Sequence, residues 1–341
     1  MSLKLGYLGW LGHGNLGDEA AFQAFSRHME CTGKPYEIAP FDVRSKFDLV
    51  VIGGGTLLSA FAKPRDVLAR WFRQNRVPYV ILGTGIEQLD LPLLVTTPDI
   101  RNSEEGLALL YDNLLGAEAI FLRDISSQEV ANGLIGFAPP IIGDLCYLSD
   151  SVDIFARVAL ARQSGSIAIN VGTSYGNIYG KDEPYVISET ARAIRDLVPK
   201  GLSVTLFPVW QQDLGNQASF SALCEGEGSL GQLPLFADYR VLAGHLSRFD
   251  LVIGMKLHSL VFAAIAATPM VAIAYRDKCT AMMRTIGLDH LYLRTDTEEL
   301  GASLVERALE ALASRQQLSL TIRRRTAELA AEANRAIESF F

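Results

Sequence analysis

Asp48-Leu49-Val50-Val51-Ile52-Gly53-Gly54-Gly55 is a short β-branched run that stops on three glycines. A run of that length, bounded by Asp and Gly, reads as a buried strand. A strand that ends in glycine and hands over to a helical pattern belongs to a parallel βαβ unit. The same grammar repeats on either side. Leu3-Lys4-Leu5-Gly6-Tyr7-Leu8 reads as a strand, with a helix expected from Asp18 to Met29. Pro78 to Leu82 ends in Gly83-Thr84-Gly85, and Glu118 to Leu122 follows a helix for which Ser103 is the expected cap.

The alternation then restarts. Ser166-Ile167-Ala168-Ile169-Asn170-Val171 is a strand, and Tyr185 to Val198 carries Ile187, Ala191, Ile194 and Val198 on one helical stripe. Ser203 to Phe207, Leu251 to Ile253 and Met270 to Ala274 complete a second set of strands. A long terminal helix follows, with Ile322, Leu329, Ala333, Ile337 and Phe340 at helical spacing. The chain of 341 residues is too long for one ordinary core and comfortable for two. The polar stretch from Ser149 to Gly165 is the expected linker. The reading is α/β: a Rossmann-like domain over 1–150, a second over 160–315, and a helix over 316–341 packing back towards the first. Two such domains facing across a cleft form the GT-B arrangement. In open parallel sheets ligands sit beyond the carboxyl ends of the strands, so the glycine clusters are expected to line that cleft.

Composition narrows the class. Nearly half of the residues are apolar, which is a globular balance. The net charge of -7, with both signs interspersed, argues against a nucleic-acid partner, which demands a basic face. Cys31, Cys146, Cys224 and Cys279 form no CxxC pair, and their spacing suits neither a metal site nor a disulfide framework. A cytoplasmic location is therefore expected, with no metal, and the start of the chain reads directly as a strand without a signal peptide. Leu260 to Tyr275 is almost wholly apolar, but Pro269 interrupts it and Lys256 and His258 stand at its start. It is shorter than the roughly 18 to 20 residues a span needs, so it reads as a buried helix from Leu260 to Ala267 followed by a buried strand.

Five segments are candidates for chemistry. Gly12-His13-Gly14-Asn15-Leu16-Gly17-Asp18-Glu19 follows the first strand, where glycines admit a ligand and helix N–H groups favour an anion. It fits GxGxxG, yet Glu37 and Asp42 are poorly placed for the acidic residue of a dinucleotide site; a packing turn is the bland reading, and Asp18 is also a good N-cap. Gly53-Gly54-Gly55-Thr56-Leu57-Leu58 is equally a turn or a substrate loop. Gly254-Met255-Lys256-Leu257-His258-Ser259 is the sharpest signal. It gathers a fixed cation, a group titrating near neutrality and helix N–H donors at the head of an apolar helix. There the bland reading has Ser259 as cap and His258 as a core residue. Arg123-Asp124 with Gly143-Asp144 offers a bidentate cation beside carboxylates, or surface ion pairs. Phe207-Pro208-Val209-Trp210-Gln211-Gln212-Asp213 ends a strand and is either a turn or a supplier of polar groups to a ligand.

Taken in order from Gly12 to Lys278, these segments resemble the polysaccharide pyruvyl transferase family. The likeness rests on Gly12-x-Gly14-Asn15-x-Gly17-Asp18-Glu19, Gly53-Gly54-Gly55-Thr56-Leu57-Leu58, Gly83-Thr84-Gly85-Ile86, and Arg123-Asp124 with Ser126 and Ser127. It continues through Gly143-Asp144, Phe207-Pro208 to Asp213, Lys256-Leu257-His258-Ser259 and Ala274-Tyr275-Arg276-Asp277-Lys278. The resemblance implies a GT-B-like fold, phosphoenolpyruvate as donor substrate with no other cofactor, and a pyruvyl ketal on a cell-surface glycan or its lipid-linked precursor. It implies roles in donor binding or catalysis for Arg123, Asp144, Lys256 and His258; with the motifs above, His258, Arg123 and Asp144 are expected to be catalytic, and Lys256, Ser259, Gly14 and Asn15 to contact the donor. From the glycine-loop motifs, acceptor contacts are expected from Gly54, Gly55, Thr56 and Asp18. Two positions depart from the family pattern: Lys256 stands where Arg is frequent, losing a bidentate grip, and His13 stands where an aromatic is common.

Ketal formation from phosphoenolpyruvate needs protonation of the vinyl methylene, cationic character at C2, hydroxyl attack and loss of phosphate. Arg123 and Lys256 are expected to hold the anionic groups, His258 to act as general acid and base, and Asp144 to orient a cation or accept a hydroxyl proton. The rivals are a GT-B glycosyltransferase with a nucleotide-sugar donor, a dinucleotide oxidoreductase built on Gly12 to Gly17, and a non-catalytic scaffold. Peripheral membrane association and oligomer formation stay open, and no transmembrane segment is expected.

Overall fold

The computed structural model describes residues 2–59, 68–87, 93–94, 104–148, 165–176, 178–224 and 230–341. Ser103 and most of the expected linker from Ser149 to Gly165 lie outside these residues. The chain divides into two units. One takes Met1–Asp90, Pro98–Ser149 and Ala327–Phe341; the other takes Leu91–Thr97 and Asp150–Thr326.

The N-terminal unit contains β1 (Leu3–Leu8), α1 (Leu16–Cys31), β2 (Tyr36–Pro40), β3 (Leu49–Gly53) and β4 (Leu58–Ser59). It continues with α2 (Leu68–Asn75), β5 (Tyr79–Thr84) and β6 (Ile86–Glu87). β7 (Leu93–Leu94) belongs to the other unit, and after it come α3 (Glu104–Leu115), β8 (Ala119–Leu122) and α4 (Ile125–Ile135) of this one. The main sheet runs β2-β1-β3-β5-β8, with every neighbouring pair parallel. The order reverses between β1 and β3, the topological switch where open α/β sheets leave room for a ligand. The deciding run, Val50 to Gly53, is buried throughout, as a strand covered on both faces must be. Beneath it Phe72, Tyr79, Leu110 and Leu114 form the core.

The C-terminal unit contains β9 (Ser166–Asn170), β10 (Ile178–Tyr179), α5 (Glu183–Leu197), β11 (Ser203–Leu206), α6 (Asp213–Leu223) and β12 (Gly231–Gln232). Next come α7 (Tyr239–Leu246), β13 (Leu251–Gly254), α8 (Leu257–Ile265), β14 (Met270–Ala274) and α9 (Asp277–Thr285). β15 (Tyr292–Arg294) and α10 (Leu300–Ala313) follow, and α11 (Arg315–Phe340) starts in this unit and from Ala327 onward belongs to the N-terminal one. The sheet order is β12-β11-β9-β13-β14-β15, again parallel at each pairing. In sequence order that is the doubly wound pattern 3-2-1-4-5-6, whose switch point lies between β9 and β13. Every residue of α8 and β14 is buried. The apolar run from Leu260 to Tyr275 is thus a core helix and a core strand, each large apolar side chain contributing about 1.5–3 kcal/mol. Among the described residues no helix is long and apolar enough to cross a membrane.

Three helix starts differ from the expected ones. α1 begins at Leu16 with Asn15 as its cap, accepting from the Gly17 N–H, so Asp18 is in the first turn and is not the cap. α5 begins at Glu183 behind the cap Asp182. α8 begins at Leu257, with Lys256 at the cap position, so His258 and Ser259 belong to its first turn. Ser259 does not cap α8; its hydroxyl donates back to the Lys256 carbonyl at 2.5 Å. The terminal helix ends with Phe341 edge-on to Phe25 and Tyr36, and the Tyr36 hydroxyl donates to the Phe341 carbonyl.

Candidate functional site

In the N-terminal unit the polar residues gather beyond the carboxyl ends of β1, β3, β5 and β8. After β1 the chain turns through Gly12 and Gly14, with φ of 81° and 65°, a left-handed backbone that glycine adopts without strain. The Glu19 carboxylate accepts from the Gly12 N–H at 2.6 Å and ties this loop to α1. After β3, Gly54 and Gly55 also have positive φ, and a Cβ on Gly55 would stand 2.7 Å from Asp18 Oδ1. Asp18 is therefore packed against the second glycine loop, which explains why Asn15 rather than Asp18 serves as the cap.

Arg123 follows β8 and is buried, 3% exposed. Its Nε donates to Asp124 Oδ2 at 2.9 Å, its Nη1 to the Gly55 carbonyl at 2.5 Å, and both Nη1 and Nη2 to Thr56 Oγ1 at 3.3 Å. Asp124 caps α4, accepting from the Ser127 N–H at 2.9 Å and the Ser127 hydroxyl at 2.7 Å. Ser127 Oγ in turn accepts from the Ile86 N–H at 2.8 Å. The structure thus brings Arg123, Gly55 and Thr56 together and makes the guanidinium a strut for the glycine loop. Asp144 caps the short turn Leu145–Tyr147 and accepts from the Cys146 N–H at 3.0 Å. Around it lie Tyr7, Cys146 and Tyr147. Burial pushes both phenols and the thiol well above their ordinary acidity range, and the neighbouring Asp144 charge pushes each further. These groups stay protonated at neutral pH.

In the C-terminal unit the polar groups converge at the switch point. Asn170 ends β9; its Oδ1 accepts from the Lys256 N–H at 3.1 Å and its Nδ2 donates to the Phe207 carbonyl at 3.0 Å. One amide thereby fixes the ends of three strands, β9, β11 and β13. Lys256 is buried, and its Nζ donates to the Thr173 carbonyl at 2.5 Å. The ammonium also lies 4.9 Å from the Trp210 ring centroid and 5.4 Å from that of Tyr275. Fully buried Asp213 accepts from the Val209 and Trp210 N–H groups, both at 3.1 Å, and from the Thr173 N–H at 3.3 Å. Burial raises its pKa, and Lys256 together with these donors offsets only part of that rise.

Glu183, at the head of α5, organises residues 171–176. It accepts from Thr173 Oγ1 at 2.9 Å, the Ser174 N–H at 2.6 Å, the Gly176 N–H at 3.1 Å and Asn216 Nδ2 at 3.1 Å. Burial pushes its carboxyl up, but the donors from Ser174, Asn216, Gly176 and Thr173 together outweigh burial and hold it below the ordinary value. His258 is buried at the start of α8, its ring 6.0 Å from that of Phe262 and roughly parallel to it. Ser259 is fully buried.

The expected residues therefore form one set in each unit: Asp18, Gly54, Gly55, Thr56, Arg123 and Asp144 in the first, and Lys256, His258 and Ser259 in the second. Gly14 lies exposed in the first loop, with Asn15 at the head of α1. Sequence reasoning did not single out Asn170, Glu183, Tyr175 or Thr173. The available signal for Asn170 was an amide closing an otherwise apolar strand. Among the described residues no group of three or more His, Cys, Asp or Glu side chains is placed to hold a metal ion.

A family model described as polysaccharide pyruvyl transferase matches residues 15–277. No curated protein matches the chain. Among solved structures, UDP-GlcNAc 2-epimerase from Neisseria meningitidis bound to UDP-GlcNAc is similar over 99% of each chain, with TM-score 0.62 and 9% identity. S. aureus MnaA with UDP gives TM-score 0.60 at 10% identity over 99% of this chain and 95% of that one. Anabaena Alr3699/HepE in complex with UDP-glucose gives 0.55 at 13% identity over 99% and 100%. At such identities these likenesses establish the fold alone, which is GT-B.

Proposed function

This chain belongs to the polysaccharide pyruvyl transferase family, and we propose that it moves the enolpyruvyl unit of phosphoenolpyruvate onto a pair of sugar hydroxyls of a cell-surface glycan or its lipid-linked precursor. The observation that carries this reading is the grouping of Lys256 and His258 at the head of α8, where β9, β11 and β13 end on the Asn170 amide. A buried cation beside helix N–H groups favours a small anion over water.

The chemistry balances as follows. A proton adds to the methylene carbon, C2 becomes electron-poor, and one sugar hydroxyl bonds to C2 while losing its proton. The C2–O bond to phosphate then breaks, and phosphate leaves with that bond's electron pair. The second hydroxyl bonds to C2 with loss of its own proton, closing the ketal. We assign the proton transfers to His258, whose imidazole can both accept and donate a proton. Lys256 is assigned to the donor's negative charge, with Ser259 setting the Lys256 carbonyl and the first turn. In the N-terminal unit Arg123 takes a positioning role, since its fork is spent on Asp124, Gly55 and Thr56. Within that unit the Arg123 strut holds Gly55 and Thr56 next to Asp18, a loop suited to contacts with sugar hydroxyls.

The test is incubation with phosphoenolpyruvate and a panel of glycans, following phosphate release and the mass gain of a ketal. His258→Ala is expected to fold as the parent does and lose most turnover. Unchanged turnover rejects the assignment. Tight UDP or GDP binding with no binding of phosphoenolpyruvate would select nucleotide-sugar transfer instead.

A further inference from the structure

Tyr175 is a large aromatic side chain that is mostly exposed and meets Trp210 edge-on. It is 61% exposed, and its backbone is left-handed, with φ of 54°, a conformation that costs a bulky residue free energy. The surrounding loop enforces this. The Tyr175 N–H donates to Thr173 Oγ1 at 3.2 Å, and Glu183 grips the backbone on either side through the Ser174 and Gly176 N–H groups. Asn216 Nδ2 donates to the Gly172 carbonyl at 3.1 Å and pins the start of the same loop. The result is a fixed ring beside Trp210: centroids 5.9 Å apart, planes at 89°. Trp210 is itself half-buried and set by the bond from its N–H to Asp213.

From this we infer that Tyr175 and Trp210 form a stacking corner for a pyranose ring of the glycan acceptor. The inference deepens the pyruvyl transfer reading and rests on it for the identity of the sugar as acceptor. Two aromatic surfaces at right angles suit a puckered ring, whose axial and equatorial C–H groups point in different directions. A flat nucleobase is served by one plane or by parallel planes. The electron-rich ring face already attracts the Lys256 ammonium at Trp210, and the weakly positive C–H groups of a sugar are drawn to such faces by the same quadrupole. The exposed phenol of Tyr175 adds a donor and acceptor for a sugar hydroxyl. A sugar seated there lies next to Lys256, the residue assigned to the donor, which is where an acceptor hydroxyl pair must be presented.

Calorimetric titration of the full chain with neutral gluco-, galacto- and manno-configured oligosaccharides, and separately with UDP, tests this. At least one oligosaccharide is expected to bind the parent, with Tyr175→Ala and Trp210→Ala each weakening it about three- to tenfold. Tyr111→Ala, which removes an exposed ring of α3, is expected to leave that affinity unchanged. In the transfer assay the acceptor KM rises in Tyr175→Ala while the phosphoenolpyruvate KM does not; Trp210→Ala, which also removes the face under the Lys256 ammonium, is read on oligosaccharide binding alone. Tyr175 is exposed, so its variant reports even if Trp210→Ala is poorly folded. No oligosaccharide binding by the parent, affinities unchanged in Tyr175→Ala, or weakening of UDP binding alone would each overturn the corner. Weakened sugar binding with no release of phosphate from phosphoenolpyruvate in the presence of any sugar would leave the corner standing and reject pyruvyl transfer.

Discussion

The Arg123 guanidinium lies so close to Gly85 that a Cβ added there would overlap Nη2 and stand 2.8 Å from Cζ. Gly85 has no positive φ, so its backbone suits alanine and only the guanidinium stands in the way. The Gly85 N–H also donates to the Gly55 carbonyl at 3.0 Å, the same oxygen that Arg123 Nη1 reaches.

Gly85→Ala is accordingly expected to displace the guanidinium from Gly55 and Thr56, costing about 1–3 kcal/mol by overpacking. Urea unfolding measures that cost, and the transfer assay is expected to fall at least tenfold. In an Arg123→Lys background there is no Nη2 to displace, so the cost of Gly85→Ala should shrink. Equal costs in the two backgrounds would show that the clash lies elsewhere.

Much of the frame was legible because local chemistry and tertiary environment agree there. Val50 to Gly53 and Met270 to Ala274 are apolar on both faces, which only a covered parallel strand tolerates. The Lys256, His258 and Ser259 grouping was visible because polar residues at the head of an apolar helix are conspicuous. The start of α1 was not legible. Asn15 and Asp18 are both good caps, and the choice is settled by Gly55 packing on Asp18, a contact distant in sequence. The roles of Glu183 and Asp213 were hidden for a related reason: each gathers N–H groups from turns that exist only once the sheet is formed. Pairings as short as Leu58–Ser59 with Ile86–Glu87 leave no periodicity to read.

Glu183 makes the residue 171–176 loop sensitive to acid. Its folded pKa is lowered from 4.5, so its contribution is fully present above 4.5 and is lost as pH falls through the folded value. Glu183→Gln is expected to cost about 1–3 kcal/mol at pH 7, because Thr173 and Asn216 then face an amide instead of a carboxylate. The gap between parent and variant in urea unfolding should narrow as pH falls below 4.5. A gap independent of pH would mean that Glu183 acts through packing alone.

Asp213 should show the opposite sign. Its folded pKa is raised above 3.8, so the folded state holds its proton more tightly, and its contribution is full below 3.8 and lost as pH rises through the folded value. Asp213→Asn turns an amide N–H₂ towards the N–H groups of Thr173 or of Val209 and Trp210, again costing about 1–3 kcal/mol. Here the gap is expected to be widest below pH 3.8 and to narrow on titration upward from there. Both variants measured across one pH series provide the control, since every other carboxylate is common to them. Gaps that move in the same direction would contradict the two environments described.

Gly172 stands to Lys256 as Gly85 stands to Arg123. A Cβ at Gly172 would overlap the Lys256 stem at Cγ and stand 2.8 Å from Asp213 Oδ1, while its φ is not positive and alanine fits the backbone. Gly172→Ala should therefore act through Lys256, moving its ammonium off the Thr173 carbonyl and away from the Trp210 face, where it now sits at 4.9 Å. The expected outcome is a fall of at least tenfold in kcat/KM for phosphoenolpyruvate, a change in tryptophan emission, and a stability loss of about 1–3 kcal/mol. Lys256→Met separates the charge from the crowding: its flexible stem lacks the ammonium, so adding Gly172→Ala should lower activity little further. If Gly172→Ala lowers stability while leaving both kcat/KM and emission at parental values, the ammonium is not where the donor is held, and the assignment of Lys256 falls with it.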